Sequence, residues 1–247
     1  MATVGIEQLT LPISVPVSQQ FESFVEGENS QLVTRAKMLL RQCIARSDCS
    51  DGPDVNQLFI HGGEGTGKSH LLFSLCHLAN AESLPSFYLN MKDVVTLSTH
   101  VLEGLAYTPL LCVDDVHGIS HDKGWQIALF DLINQRAEQR AGLTVFASRF
   151  PPTHKGGNGT LPDLQSRLSW GETYVLNPLN ESAQIRLLEQ LARLRGLRLT
   201  HQASLYIIHH CERSNKALVK LIERLDKRSL QEQKPLSINL IKRELGI

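Results

Sequence analysis

No apolar run in this chain reaches membrane-spanning length, and the N-terminus lacks the basic stretch and apolar core of a secretory leader. A cytoplasmic protein with no membrane partner is therefore expected. Cysteine is scarce: Cys43, Cys49, Cys76, Cys112 and Cys211 are five in number, and no two of them form a Cys-x-x-Cys pair. An odd count without that pair points to reduced, mostly buried thiols and excludes a disulfide framework. An excess of one charge is also missing, since 25 Lys and Arg stand against 25 Asp and Glu, so the whole molecule has no nucleic-acid footprint. The balance is uneven along the chain. Residues 181–247 hold 13 basic and 7 acidic side chains, net +6, which leaves residues 1–180 at net −6. That basic end suits either a solvated helical surface or weak contact with a phosphate backbone or acidic partner. His117, His121, His209 and His210 fall into no metal-ligand spacing with nearby Cys or carboxylates. There is no internal repeat and no low-complexity segment.

What is present is a phosphate-binding loop in its required setting. An apolar stretch, Leu58-Phe59-Ile60-His61, runs into Gly62-Gly63-Glu64-Gly65-Thr66-Gly67-Lys68-Ser69, and an apolar helix opens behind it over residues 70–78. Gly62, Gly65 and Gly67 let the backbone curl so that successive N–H groups meet one anion, and the helix start adds its positive dipole end. Lys68 supplies a mobile charge for the outer phosphates, and Ser69 a hydroxyl suited to nucleotide-bound magnesium. The candidate nucleotide contacts here are Gly62, Gly63, Gly65, Thr66, Gly67, Lys68, Ser69 and His70, with ADP or ATP as the ligand.

Further apolar runs at residues 86–90, 110–114, 144–148 and 173–176 alternate with helical patterns, the longest over 125–140. Before the loop, Asn29 and Ser30 precede a helical pattern reaching about residue 45. Strands alternating with helices predict an α/β fold with a parallel sheet sandwiched by helices. After Pro178 only helical patterns remain, over 182–195, 205–211, 216–228 and 239–245, which predicts a small all-helical lid domain. The expected organisation is a tail over 1–20, an α/β nucleotide domain over 21–177 and a lid over 178–247.

Leu110-Leu111-Cys112-Val113-Asp114-Asp115 is an apolar strand ending in two carboxylates. Beside a phosphate loop, the first acid of such a strand meets the magnesium, and the second can orient an attacking water. Asp114 and Ser69 are thus the candidate metal residues, and Asp115 the candidate for a catalytic role in the chain's own ATP hydrolysis. A buried strand followed by a polar turn is the plainer alternative.

Taken together, the loop, the acid-ended strand, Phe21-Glu22-Ser23-Phe24-Val25-Glu26-Gly27 and Leu161-Pro162-Asp163-Leu164-Gln165-Ser166-Arg167-Leu168-Ser169-Trp170-Gly171 resemble AAA+ P-loop ATPases of the DnaA-related group. That group comprises the bacterial replication initiator and shorter regulatory relatives. The resemblance covers most of the chain from residue 21 to the lid. It implies that Phe21, Phe24 and Val25 contact the base and that Arg167 is an arginine finger aimed at a neighbour's nucleotide. Where relatives carry an Asp after the fourth strand this chain reads Ala147-Ser148-Arg149, so a sensing role there passes to Ser148 or Arg149. Lys216 stands where the family usually has a sensing Arg, and Lys lacks the planar bidentate fork. Both departures argue against strong self-contained hydrolysis.

The initiator carries a DNA-reading domain after its lid, whereas this sequence ends at Ile247, which leads us to expect a regulator. Near the front, Gln8-Leu9-Thr10-Leu11-Pro12-Ile13 resembles the clamp-binding peptide of the group's regulatory members. There Leu9, Leu11 and Ile13 would offer apolar side chains, Pro12 would stiffen the strand and Gln8 would bond at the rim. The resemblance thus implies a negative regulator of replication initiation. It would be tethered to the DNA polymerase sliding clamp, would stimulate ATP hydrolysis by the initiator DnaA to leave the inactive ADP form, and would keep ADP in its own site. Self-association is compatible with it, and DNA contact would be indirect or weak. The alternative is a self-sufficient AAA+ ATPase such as a replicative helicase loader.

Overall fold

The computed structural model describes residues 16, 19–45, 56–153, 159–212, 214–232, 236 and 238–246. The candidate clamp peptide, residues 8–13, lies outside the described residues. Five parallel strands, β1 (Gln57–His61), β2 (Ser86–Asn90), β3 (Leu110–Asp114), β4 (Leu143–Ser148) and β5 (Glu172–Val175), form one sheet in the order β2-β3-β4-β1-β5. Parallel strands need crossovers, and helices supply them. Helix α1 (Ser30–Ala45) precedes the sheet; α2 (Lys68–Ala81), α4 (Lys123–Glu138) and α5 (Pro162–Leu168) connect strands, and the short α3 (Met91–Val94) follows β2.

Because side chains alternate along a strand, each strand feeds both faces of the sheet. Leu58, Ile60, Cys112, Val145 and Ala147 pack with α1 and α2 on one side. Phe59, Leu111, Val113 and Phe146 pack with α3, α4 and α5 on the other. This burial on both faces explains why the central strands read as near-continuous apolar runs.

The chain then turns fully helical. Helices α6 (Glu181–Leu194), α7 (His201–His210), α8 (Asn215–Glu232) and α9 (Ile238–Leu245) share a core of their own around Leu188, Ile207, Leu218, Ile222 and Ile241. Local chemistry sets their ends. The Asn180 side chain accepts from Ala183 N at 3.0 Å to start α6, and Gly196 at φ +70° closes it while Leu197 N donates to Ala192 O at 2.9 Å. Thr200 caps α7 in the same way, accepting from Ala203 N at 3.3 Å. Asn29 and Ser30 are both residue types that can cap α1, and in the fold the Asn29 amide bonds to the backbone before the helix and to the segment leaving β5. It donates to the carbonyls of Glu26 (3.0 Å) and Asn177 (3.1 Å) and accepts from Asn177 N (2.8 Å), which ties the start of α1 to the segment leaving β5.

One buried cation stitches the far end of the sheet. The Arg136 guanidinium on α4 donates to Thr144 Oγ1 (2.7 Å) and to the carbonyls of Leu105 (2.7 Å), Thr108 (2.8 Å), Ala141 (2.8 Å) and Leu143 (3.3 Å). Burial brings its pKa down to about 10, so it stays charged at neutral pH. Removing such a hub strands several buried carbonyls. Arg136→Met is expected to lower the unfolding free energy by about 3–5 kcal/mol in urea titrations. Arg41→Met, on the exposed side of α1, should change it by less than about 0.5 kcal/mol.

Candidate functional site

The phosphate loop leaves the end of β1, which lies between β4 and β5. The crossover after β1 leads to β2 at one edge, and the crossover after β4 leads to β5 at the other. The loop therefore sits at the switch point of the sheet, where open parallel sheets form their ligand crevice. Its path demands glycine. A Cβ on Gly62 would stand 2.5 Å from the Leu176 carbonyl oxygen, and Gly67 begins α2 at φ +106°. Thr66 Oγ1 donates to Gly63 O at 3.0 Å and tightens the curl. No side chain caps the start of α2, so its first-turn amides are left to meet an anion. Lys68 Nζ lies in the bowl of the loop and donates to Gly62 O (2.9 Å) and Gly63 O (2.8 Å). Burial lowers its pKa, and the charges of Asp114 and Asp115 oppose that shift.

Asp114 ends β3 beneath this loop and is fully buried. Burial raises its pKa, while hydrogen bonds from Ser69, Tyr88 and the Asp115 amide favour the carboxylate. The Tyr88 hydroxyl donates to Oδ2 at 2.9 Å and the Asp115 amide to Oδ1 at 2.8 Å. The structure thus brings the two candidate magnesium residues, Ser69 and Asp114, into contact. Asp115 turns elsewhere. Held at φ +50°, it pairs with Lys92 at 2.9 Å and faces His117 Nδ1 at 3.8 Å.

A cavity of ≈ 1060 Å³ opens above the loop, walled by the loop, residues 19–20 and 22–25, and the helices α6 and α8. Phe24, Val25, Gly65, Thr66, Gly67, Lys68, Ser69, His70, Asp115 and Lys216 line it. Phe21 does not; its ring lies under Lys37 Nζ at 4.2 Å. Ser148 is buried and accepts from Phe150 N at 3.3 Å, so at that strand end it is Arg149 that reaches the cavity. At the lid, Asn215 Nδ2 donates to Gly65 O at 3.1 Å and Lys216 Nζ lies 3.6 Å from Glu64 Oε1. The basic end of the chain spends much of its charge internally: Arg195, Arg224, Arg228 and Arg243 pair with Glu223, Asp226, Glu232 and Glu244.

Arg167 belongs to a different part of the surface. It lies in the last turn of α5, and its carbonyl accepts from Gln57 Nε2 at 2.9 Å, at the opposite end of β1 from Gly62. Its Nε donates to Asn134 Oδ1 at 2.6 Å, and its guanidinium lies 3.8 Å from the centre of the exposed Trp170 ring. The sequence pattern gives no site role to Tyr88, Lys92 or Asn215, and it sets His117 aside from metal binding without giving it another role. Tyr88 and Lys92 sit where only the sheet register brings them near the loop, and Asn215 was legible solely as the neighbour of Lys216.

Against family models, residues 17–174 match the bacterial DnaA ATPase domain and residues 181–245 match the Hda lid domain. Domain III of the Thermotoga maritima replication initiation protein DnaA superposes at a TM-score of 0.79 with 21% identity, covering 95% of this chain and 98% of that one. AMPPCP-bound DnaA from Aquifex aeolicus gives 0.68 at 19% identity over 90% and 71% of the two chains. The Thermotoga maritima RuvB Holliday junction branch migration motor gives 0.67 at 14% identity over 92% and 71%. At these identities the likenesses bear on the fold, a parallel AAA+ sheet with a helical lid.

His70 supplies a pH test. Its Nε2 bonds Gln20 O and Ser23 Oγ, both at 3.1 Å, its ring meets Phe24 edge-on at 5.2 Å, and burial lowers its pKa below the usual 6.5. A histidine held neutral by the fold binds its proton more readily when unfolded. Its contribution is therefore complete above pH 6.5 and is lost as the pH falls toward the folded value. The melting temperature is expected to fall between pH 7 and 5, with a shallower slope in His70→Gln; an unchanged slope would remove His70 as a source of that dependence.

Proposed function

The chain belongs to the bacterial DnaA ATPase-domain family, and on that premise we propose that it is a regulator of replication initiation that binds an adenine nucleotide and lends Arg167 to the initiator's active site. The observation that carries this reading is the placing of Arg167. The whole of β1, five residues from Gln57 to His61, leads from its anchor to the loop, roughly 16 Å of extended chain, so the side chain does not reach its own phosphate site. An arginine so placed serves a nucleotide held by another molecule. It is also cheap to release. A half-exposed stack on Trp170 contributes about 0.5–1 kcal/mol and one hydrogen bond about 1 kcal/mol net, so contact with a triphosphate outcompetes both.

In this account the chain's own site takes ADP or ATP with magnesium. Lys68 and the α2 amides meet the phosphates, Ser69 and Asp114 hold the ion directly or through water, Phe24 and Val25 flank the base, and Lys216 approaches from the lid. The glycine cradle, the ammonium within it and the hydroxyl–carboxylate pair beneath it are the donor set such a ligand requires. Residues 8–13 tether the chain to the sliding clamp and raise its effective concentration near the initiator. Arg167 then neutralises charge developing on the transferred phosphoryl group, an effect worth about three to five orders of magnitude where arginine fingers have been measured. The match of residues 181–245 to the Hda lid domain supports a regulator over an initiator. The neighbouring Asp114 and Asp115 keep a self-sufficient ATPase as the second reading, although Lys92 and His117 already engage Asp115.

The test is the rate at which purified DnaA hydrolyses labelled ATP in the presence of DNA-loaded clamp. The unaltered chain should stimulate it. Arg167→Ala should bring stimulation to background, and Leu11→Ala should raise the concentration needed for half-maximal effect by about a hundredfold. No stimulation by the folded, nucleotide-bound chain sinks the proposal, and strong turnover by the chain alone, lost in Asp115→Asn, favours the second reading.

A further inference from the structure

Residues 8–13 lie close in sequence to a fixed point of the fold. Ser14 and Val15 alone separate Ile13 from Pro16, whose carbonyl accepts from His77 Nε2 at 3.0 Å. Two turns earlier on the same side of α2, His70 Nε2 lies 3.1 Å from both Gln20 O and Ser23 Oγ, and Ser23 Oγ donates to Gln20 O at 2.8 Å. The Gln19 amide closes a turn onto Pro16 O at 3.0 Å. The chain then becomes cavity wall. The Phe24 ring meets His70 edge-on and stands 3.5 Å from where Gly67 would carry a Cβ, and Val25 packs against the lid core. The Glu22 carbonyl accepts from Gln190 of α6. Pro16 and residues 19–25 thus form one strap that lies on α2, touches the phosphate loop and the lid, and has the cavity on its inner side. His77 itself stands outside the cavity wall.

Resting on the nucleotide- and clamp-binding readings above, we infer that this strap links them: a ligand in the cavity tightens the hold of residues 8–13 on the clamp, and the clamp tightens the hold on the ligand. A base set against Phe24 and Val25 restrains the strap from its inner side, which keeps Gln20 and Ser23 on His70 and Pro16 on His77. The three steps from Pro16 back to Ile13 span at most about 10 Å, so fixing Pro16 confines where residues 8–13 can go. An extended peptide loses conformational freedom when it binds, and a chain already held at its base has less to lose. With the strap loose, the same peptide starts from a wider set of positions and binds more weakly. Linkage is reciprocal for binding free energies, so both affinities change by one factor, about five- to tenfold, near the lower end for coupled sites.

The experiment measures the affinity of the full, nucleotide-stripped chain for purified sliding clamp with and without saturating ADP and magnesium, and its affinity for ADP with and without clamp. Two altered chains accompany it: His77→Ala, and a chain with about eight Gly and Ser residues inserted between Ser14 and Val15, which leaves every described contact in place and frees the motif from its anchor. In the unaltered chain each ligand should tighten the other about five- to tenfold. In both altered chains the factor should fall below about twofold, with ADP affinity in the absence of clamp unchanged. Amide exchange reads the strap without the clamp: the Gln19 and Ser23 amides, which donate to Pro16 O and Gln20 O, should exchange more slowly once ADP is bound. Equal clamp affinity with and without ADP, in a chain that binds both, overturns the inference alone. A factor that survives both alterations also overturns it, since the linkage then runs by another route. Absence of clamp binding removes the tether reading, and absence of ADP binding the nucleotide reading, each taking this inference with it.

Discussion

The balance between Lys68 and the buried Asp114 is the interaction around which the rest of the molecule is arranged. Neither charge is tolerable alone at that depth: burial pushes the ammonium pKa down, where Asp114 and Asp115 oppose it, and pushes the carboxylate pKa up, where hydrogen bonds from Ser69, Tyr88 and the Asp115 amide oppose it. The sheet exists in the form that makes this balance possible. β1 delivers Lys68 through a turn that only glycine can follow at Gly62, β3 delivers Asp114, and β2 brings the Tyr88 hydroxyl to the same carboxylate. A P-loop without this counter-charge would hold its lysine at greater cost. A buried Asp114 without Ser69 and Tyr88 would lean toward its neutral form.

The same sheet is a rigid spacer. Its C-terminal edge carries the nucleotide crevice, and its N-terminal edge carries Gln57, Arg167 and the Trp170 stack. Packing on both faces leaves the strands little freedom to slide, so the separation of the crevice from Arg167 is a property of the fold. The lid meets the loop through Asn215 and Lys216, and the segment before α1 meets α2 through His70, with a further contact from Gln190 to the Glu22 carbonyl. Both sets of contacts wall the cavity, so what occupies it bears on how the lid and the N-terminal segment are held.

Much of this was legible in the sequence, and the exceptions have physical causes. The strands at 86–90 and 110–114 were read at their observed bounds because buried parallel strands are short apolar runs between polar breaks. Helix α4 begins two residues before the apolar pattern does, because Asp122 caps it by accepting from Trp125 N. Helix α5 went unread as a helix; seven residues are too few for a 3.6-residue period to declare itself. The order of the strands and the contacts of Tyr88, Lys92 and His117 depend on pairings between distant segments, which no local pattern records.

The claim that matters most is that the reacting phosphate belongs to another molecule. The most direct measurement is the structure of this chain bound to ATP-loaded DnaA with the clamp present, read at one distance, from the Arg167 guanidinium to the γ-phosphate held by the initiator. The account predicts hydrogen-bond reach, about 3 Å, with the guanidinium lifted from Trp170. A guanidinium still stacked on Trp170, with the initiator's phosphate beyond reach, would contradict it.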